Sequence, residues 1–143
     1  MWYEITVEPD DDGTFLVTAP AFPEVSTFAE KLEEAPVYAA AAIEEAIAAR
    51  MADGEDIPYP EEDSAGLDHA AELNALTYLK TLLYMLCRKE QVTRAELARR
   101  LAWKREQVDR LFRLEHNSQV GQLEKAFKAI GHPLRFTAMA QVA

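Results

Sequence analysis

The chain has few of the residues that build chemical centres. One cysteine and three histidines in 143 residues exclude an internal disulfide, and no Cys/His cluster has zinc-ligand spacing. Cys87 lies in the apolar run Leu82-Leu83-Tyr84-Met85-Leu86-Cys87 and reads as a small buried residue rather than a reactive thiol. His69, His116 and His132 are scattered through a linker, a loop and a helix end. No Ser/His/Asp set, phosphate loop or metal motif is recognisable, so neither cofactor nor enzymatic activity is expected. No apolar run reaches ~18 residues, which excludes a membrane-spanning helix. The opening Trp-Tyr-Glu-Ile-Thr-Val-Glu-Pro has no basic region and no signal-like apolar segment, so the chain reads as cytoplasmic.

Positive charge is also scarce, in one half only. Residues 1–72 hold 19 Asp/Glu and 2 Lys/Arg, a net of −17; residues 73–143 hold 6 and 13, a net of +7. Such a division suggests two units with different partners. An acidic half repels nucleic acid and attracts basic proteins, and a basic half does the reverse.

What is present is regular patterning. Trp2 to Val7 alternates, with Tyr3, Ile5 and Val7 on one side, as a half-buried strand does. Glu8-Pro9-Asp10-Asp11-Asp12-Gly13 is a turn, Thr14 to Ala19 a second strand, and Glu24 to Phe28 a third after the break at Pro20-Ala21-Phe22-Pro23. A helix is expected over about 31–52, its inward stripe Leu32, Ala39, Ile43, Ala46, Ile47 and Met51, with Glu44, Glu45 and Arg50 facing water. Pro36 either delays the helix start to about Glu34 or Ala35 or kinks its first turns. Ile57 to Tyr59 could be a short edge strand. The polar, acidic stretch 61–72 reads as a linker. A long helix then spans Leu73 to Glu90, and another Gln119 to Ile130, capped by Gly131. Leu134 to Met139 alternates like a strand; isolated after helices, it needs a partner, which would be its copy in a second chain.

Thr93 to Leu111, reading Thr-Arg-Ala-Glu-Leu-Ala-Arg-Arg-Leu-Ala-Trp-Lys-Arg-Glu-Gln-Val-Asp-Arg-Leu, has the spacing of helix, sharp turn and helix. Thr93 and Glu96 are spaced as a capping box; Leu97, Ala98 and Leu101 share one face, Val108 and Leu111 another. Lys104, Arg105, Gln107 and Arg110 are left at the start or outer face of the second helix, as in a helix presented to a DNA major groove. A plain helical hairpin in a small bundle would carry the same apolar spacing.

This stretch resembles the helix-turn-helix of phage-repressor-like (XRE-type) regulators, with Ala102 where that family usually has Gly and Lys104 where it usually has Ser or Thr. Residues 1–60 resemble the N-terminal domain of HicB-family antitoxins. The carriers are Tyr3 to Glu24, the Leu-Glu-Glu-Ala helix start at Leu32 to Ala35, and Ala49-Arg50-Met51-Ala52-Asp53-Gly54-Glu55-Asp56-Ile57-Pro58-Tyr59-Pro60. The resemblance implies an α+β chain. A small antiparallel sheet with one packed helix, HicB-like and partly ribonuclease H-like (1–60), is followed by the linker (61–72). An all-α helix-turn-helix and dimerisation domain with a C-terminal strand (73–143) completes it. It implies a type II antitoxin that inhibits a small basic, mRNA-cleaving HicA-type ribonuclease and represses its own operon as a homodimer or higher homo-oligomer. The expected DNA contacts are Arg105 and Gln107 at bases, Lys104, Arg110 and Arg113 at phosphates or bases, and Arg94 and Lys125 at phosphates. The expected toxin contacts are Asp10, Asp11, Asp12, Phe22 and Glu24, with Phe22 either an exposed anchor or a lid on the sheet. The three aspartates could suggest a metal cluster, but a nuclease of this kind needs carboxylates converging from separate strands, and these share one solvated turn. The alternative reading is a regulator whose N-terminal domain senses a small ligand or holds an oligomer together.

Overall fold

The computed structural model describes residues 1–141. The alternating N-terminal run forms two strands, β1 (Trp2–Glu4) and β2 (Thr6–Pro9), parted at Ile5. β2 pairs antiparallel with β3 (Phe15–Ala19), and β3 with β4 (Phe22–Ala29). The β2–β3 connection is the Asp-rich turn, with Gly13 at φ +74°, a backbone that a side chain disfavours. β1 pairs antiparallel with β5 (Ala70–Glu72), while Glu61 exchanges two backbone hydrogen bonds with Trp2. The stretch expected to be linker thus supplies a strand and a bridge to the N-terminal unit. Ile57 to Tyr59 is not a strand; Ile57 is buried and the Tyr3 hydroxyl donates to the Pro58 carbonyl at 2.7 Å.

A 3-10 turn (Leu32–Glu34) leads into α1 (Ala35–Asp53). Pro36 stands in the first turn of α1, where its missing N–H leaves no intrahelical bond unmade, so it marks a later start and not a kink. Ala39, Ile43, Ala46, Ile47 and Met51 are buried as the periodicity requires. Leu32 departs from that stripe: it lies before the helix, 48 % exposed. Gly54, at φ +69°, ends α1.

Phe22 is fully buried, its ring edge-on to Tyr3 at 4.9 Å between centroids. Of the two roles open to it, it takes the lid and not the exposed anchor. The Arg50 guanidinium lies 5.0 Å over the same ring and is fixed by the Glu24 carboxylate at 2.7 Å. Arg50 therefore covers the core instead of standing free in water.

The second half is helical: α2 (Ala75–Lys89), α3 (Arg94–Leu101), α4 (Arg105–Leu111) and α5 (Val120–Ala129). The Asn74 side chain accepts from Thr77 N–H at 2.9 Å and caps α2; Thr93 caps α3 through Glu96 N–H at 3.1 Å. Leu83, Leu97, Val108, Leu111, Leu123 and Phe127 are fully enclosed and belong to one core that continues into the N-terminal unit. Gly131 follows α5 at φ +82°. Among the described residues the segment Leu134–Met139 forms no strand; Phe136 and Met139 are exposed.

Two predictions follow from this packing. Phe22→Ala should lower stability by about 3–5 kcal/mol, the cost of emptying a large aromatic site, read from urea unfolding. The Cys87 thiol is buried and pushed up to about 11, first by that burial, with Arg100 and Arg94 pulling the other way. It should resist a thiol reagent at neutral pH and react at once when urea is added.

Candidate functional site

The turn between α3 and α4 is left-handed at Ala102, φ 55° and ψ 38°. Alanine occupies this conformation at some cost relative to glycine. The surrounding bonds hold it there: Ala102 N–H donates to the Arg99 carbonyl and Trp103 N–H to the Ala98 carbonyl. α4 then begins after Lys104, which lacks a side-chain oxygen to cap with. Gln107 supplies the missing half, its amide oxygen accepting from Lys104 N–H at 3.0 Å. In the free chain this leaves the amide NH2 of Gln107 and one lone pair of its oxygen to meet a ligand.

The exposed cations divide into free and engaged ones. Lys104, Arg113 and Lys125 are exposed. Arg110 faces Glu106 one turn back at 3.7 Å. Arg105 donates through Nε to Asp109 Oδ1 at 3.1 Å, and Arg94 donates to the same oxygen at 3.3 Å. The Arg94 guanidinium also stacks 4.8 Å over the buried Phe112 ring. Arg94, expected at a phosphate, is thus engaged in holding α3 to α4. Burial opposes the charge on Asp109, but hydrogen bonds from Arg105 and Arg94 outweigh it and hold its carboxyl below the usual range. On α3, Arg99 and Arg100 pair with Glu96, and Arg100 also reaches the Ala129 carbonyl at 3.1 Å.

Beneath α4 lies a residue that sequence reasoning missed. Lys80 of α2 is fully buried, and its ammonium donates to the carbonyls of Arg110, Arg113 and His116 at 2.9, 2.5 and 2.7 Å. All three N–H donors are used, one on the last turn of α4 and two on the loop after it, each as a second donor to a carbonyl that also accepts a local backbone N–H. Burial lowers the Lys80 pKa to about 8, with Glu115 pulling it up. The signal was available, since Thr77, Lys80, Thr81 and Tyr84 fall at helical spacing within an otherwise apolar segment.

In the acidic half, Asp10, Asp11 and Asp12 stand exposed on the β2–β3 turn, where Asp10 Oδ1 accepts from Asp11 N–H at 2.8 Å. Among the described residues no group of three or more His, Cys, Asp or Glu side chains is arranged to hold a metal ion. Glu24 is half-exposed and tied to Arg50, and Phe22 lies beneath, so the five expected toxin contacts reduce on the surface to the turn and Glu24. The halves are fastened together. Thr77 Oγ1 donates to Glu44 at 2.8 Å, Tyr84 Oη to the Glu55 carbonyl at 2.6 Å, and Arg88 to the Gly54 carbonyl at 2.6 Å. Arg88 also pairs with Asp56 at 2.9 Å. No helix among the described residues is long and apolar enough to cross a membrane.

Comparison with known proteins agrees with the acidic N-terminal unit. Residues 2–82 match the family of HicB_like antitoxins of bacterial toxin–antitoxin systems. Antitoxin HicB 1 of Photorhabdus laumondii is 32 % identical over 94 % of this chain and 84 % of its own. Antitoxin HicB of Escherichia coli K12 is 31 % identical over 94 % of this chain and 96 % of its own. The crystal structure of the N-terminal domain of the Burkholderia pseudomallei antitoxin HicB overlays on 52 % of this chain and 99 % of that one, at 23 % identity and a TM-score of 0.41. The family assignment rests on the sequence matches. The protein is an antitoxin of a toxin–antitoxin system, and not an enzyme. It belongs to the HicB-like family, whose members imply a toxin as partner.

Lys80→Met keeps the apolar stem and removes three hydrogen bonds from a buried ammonium, leaving the Arg110, Arg113 and His116 carbonyls to their local donors, the N–H groups of Arg113, His116 and Ser118. It should lower stability by about 2–4 kcal/mol, given the loss of hydrogen bonds to a charged donor, as read from urea unfolding followed by circular dichroism.

Proposed function

We propose that this chain neutralises a small basic HicA-type ribonuclease through its acidic half and represses its own operon through α3 and α4. The observation that carries the reading is the segregation of charge on the fold. The net −17 of residues 1–72 surrounds the sheet and α1, while Lys104, Arg105, Arg110, Arg113 and Lys125 crowd the exposed side of α4, the loop after it and α5. A ribonuclease must be basic where RNA lies, and an acidic surface competes for that region by complementarity, which speeds encounter and sets specificity. The Asp-rich turn and Glu24 are the contacts proposed for the toxin.

The α3–turn–α4 unit is proposed as a helix-turn-helix with α4 in the major groove. Arg105 and the Gln107 amide would lie at base edges, Lys104, Arg110 and Arg113 at phosphates or bases, and Lys125 at a phosphate. Such units bind palindromes as dimers with half-sites about one helical turn apart. The unpartnered segment Leu134–Met139, with Phe136 and Met139 exposed, is proposed to pair with its copy in a second chain.

The ligand-sensing alternative gains little. The more enclosed cavity between residues 59–62 and α2, lined by Tyr59, Glu61, Tyr78, Thr81, Leu82 and Met85, holds about 260 Å³, while larger hollows of about 670 and 600 Å³ lie more open to solvent. Ligand pockets commonly run from about 300 to 1,000 Å³.

Arg105→Ala should cost roughly 1–3 kcal/mol of operator affinity and relax preference at one base pair; Lys104→Ala should weaken all duplexes alike and flatten the salt dependence. Fluorescence titration of the upstream duplex at several salt concentrations checks both, and curves unchanged by either variant would remove α4 as the reading helix. Purification of the full chain from its host should recover a small basic protein that cleaves RNA only when freed. Recovery of the chain alone, from cells expressing the neighbouring gene, counts against the inhibitory role. Removing residues 133–143, of which the last two lie outside the described residues, should reduce the dimer to monomer in light scattering.

A further inference from the structure

α4 carries two carboxylates, Glu106, which faces Arg110, and Asp109, which pairs with the residue proposed to read a base and is held from behind. Asp109 sits one turn after Arg105, and Asp109 Oδ1 receives Arg105 Nε at 3.1 Å and Arg94 Nη1 at 3.3 Å. Arg94 is itself fixed, since its guanidinium lies 4.8 Å over the ring of the buried Phe112. The chain of contacts therefore runs from core to surface: Phe112, Arg94, Asp109, Arg105. Its last member has a side chain 58 % exposed, and the carboxylate behind it is 29 % exposed.

An acidic group facing a phosphate backbone works against binding, because the sequence-independent part of DNA affinity comes from cations meeting phosphates. Asp109 therefore lowers affinity for duplexes in general. What it supplies is order. A free arginine side chain has many rotamers to lose on binding, and a planar fork already held in one of them loses fewer. With Nε donating to Asp109, the N–H groups left on Arg105 are those of Nη1 and Nη2. Together they present two parallel donors end-on, the arrangement that matches O6 and N7 of guanine in the major groove.

We infer that Asp109 is a positioning residue that fixes the Arg105 guanidinium for end-on recognition of a single guanine, trading general DNA affinity for selectivity. The inference rests on the proposed reading of α4 as the DNA-reading helix and adds to it the base read and the group that enforces the reading.

The test is selection from a randomised duplex pool, followed by titration of the preferred duplex and its single-base variants with the full chain. Wild type should prefer guanine at one position of each half-site. Asp109→Asn should lower that preference about tenfold, raise affinity for unrelated duplex several-fold and steepen the salt dependence, since a freed Arg105 can turn to a phosphate. A loss of fold or of helix packing would lower both specific and general binding, so the opposite movement of the two separates positioning from stability. In an Arg105→Ala background, Asp109→Asn should leave base preference unchanged. Should Asp109→Asn unfold because Arg94 loses its partner, Arg94→Met combined with Asp109→Asn keeps the packing on Phe112 and is expected to show the same opposite movement. If Arg105→Ala relaxes one position while Asp109→Asn does not, or if the base is not guanine, the inference fails and the DNA reading stands. If wild type selects no sequence, both fail.

Discussion

Three peptide carbonyls at the exit of α4 converge on one ammonium, that of Lys80, and an ammonium withdrawn from water must have every donor met. The geometry meets that demand and so fixes the segment from Arg110 to His116 against α2. The rest of the basic half depends on this point. α4 spans only Arg105–Leu111, and helices this short have little stability of their own. Its direction is set at one end by the left-handed turn at Ala102 and at the other by Lys80. Between them, Val108 and Leu111 anchor the inner face and leave the cations outside. A polar group placed in a core fixes one arrangement among several that apolar contacts alone would tolerate.

α2 passes this order to the other half. Its Thr77, Tyr84 and Arg88 reach Glu44, the Glu55 carbonyl, and Asp56 with the Gly54 carbonyl. The acidic unit and the basic one are thereby joined through side chains as well as through the intervening chain. Opposed charges on one small molecule would ordinarily attract one another. Here the carboxylates cluster around the β2–β3 turn, the start of α1 and the 61–63 stretch, while the basic side chains cluster around α4 and α5. Among the described residues the two meet at the Arg88–Asp56 ion pair.

How much of this was legible in the sequence varied with the range of the interactions involved. Local periodicity gave three strands, the first of which is two strands parted at Ile5, together with α1, α2, α5 and the helix–turn–helix spacing, because alternation and the three-to-four spacing need only neighbouring residues. Pro36 left a late start or a kink of α1 open, and the structure takes the late start at Ala35. What failed was long-range. β5 is three residues, Ala-Ala-Glu, with no β-branched side chain, and exists only because Trp2–Glu4 lies beside it. Arg50 looked like a solvent-facing residue until β4 brought Phe22 and Glu24 to it. Phe22 between two prolines could not be assigned to core or surface, since its partner Tyr3 is 19 residues away. At the candidate DNA face, the cations were legible by type and helical position, whereas their pairing with Asp109 and Glu106 and the withdrawal of Arg94 to Phe112 depended on side-chain placement. Lys80 shows the same limit. A lysine in an apolar helix is visible in sequence, but the three carbonyls that accept from it come from 30 to 36 residues later.

The pairing of β1 with β5 also has a consequence for synthesis. The chain's second to fourth residues find their antiparallel partners only at residues 70 to 72, and Trp2 is bridged by Glu61 on the way. The order of translation therefore withholds the last strand of the acidic unit until more than 70 residues have been joined. A ribosome must then release still more chain from its exit tunnel before Ala70–Glu72 can dock. A nascent chain shorter than this presents an open sheet edge at Trp2–Glu4. The competent acidic surface arrives late, close to the moment when α2 begins to emerge, so the two units mature nearly together.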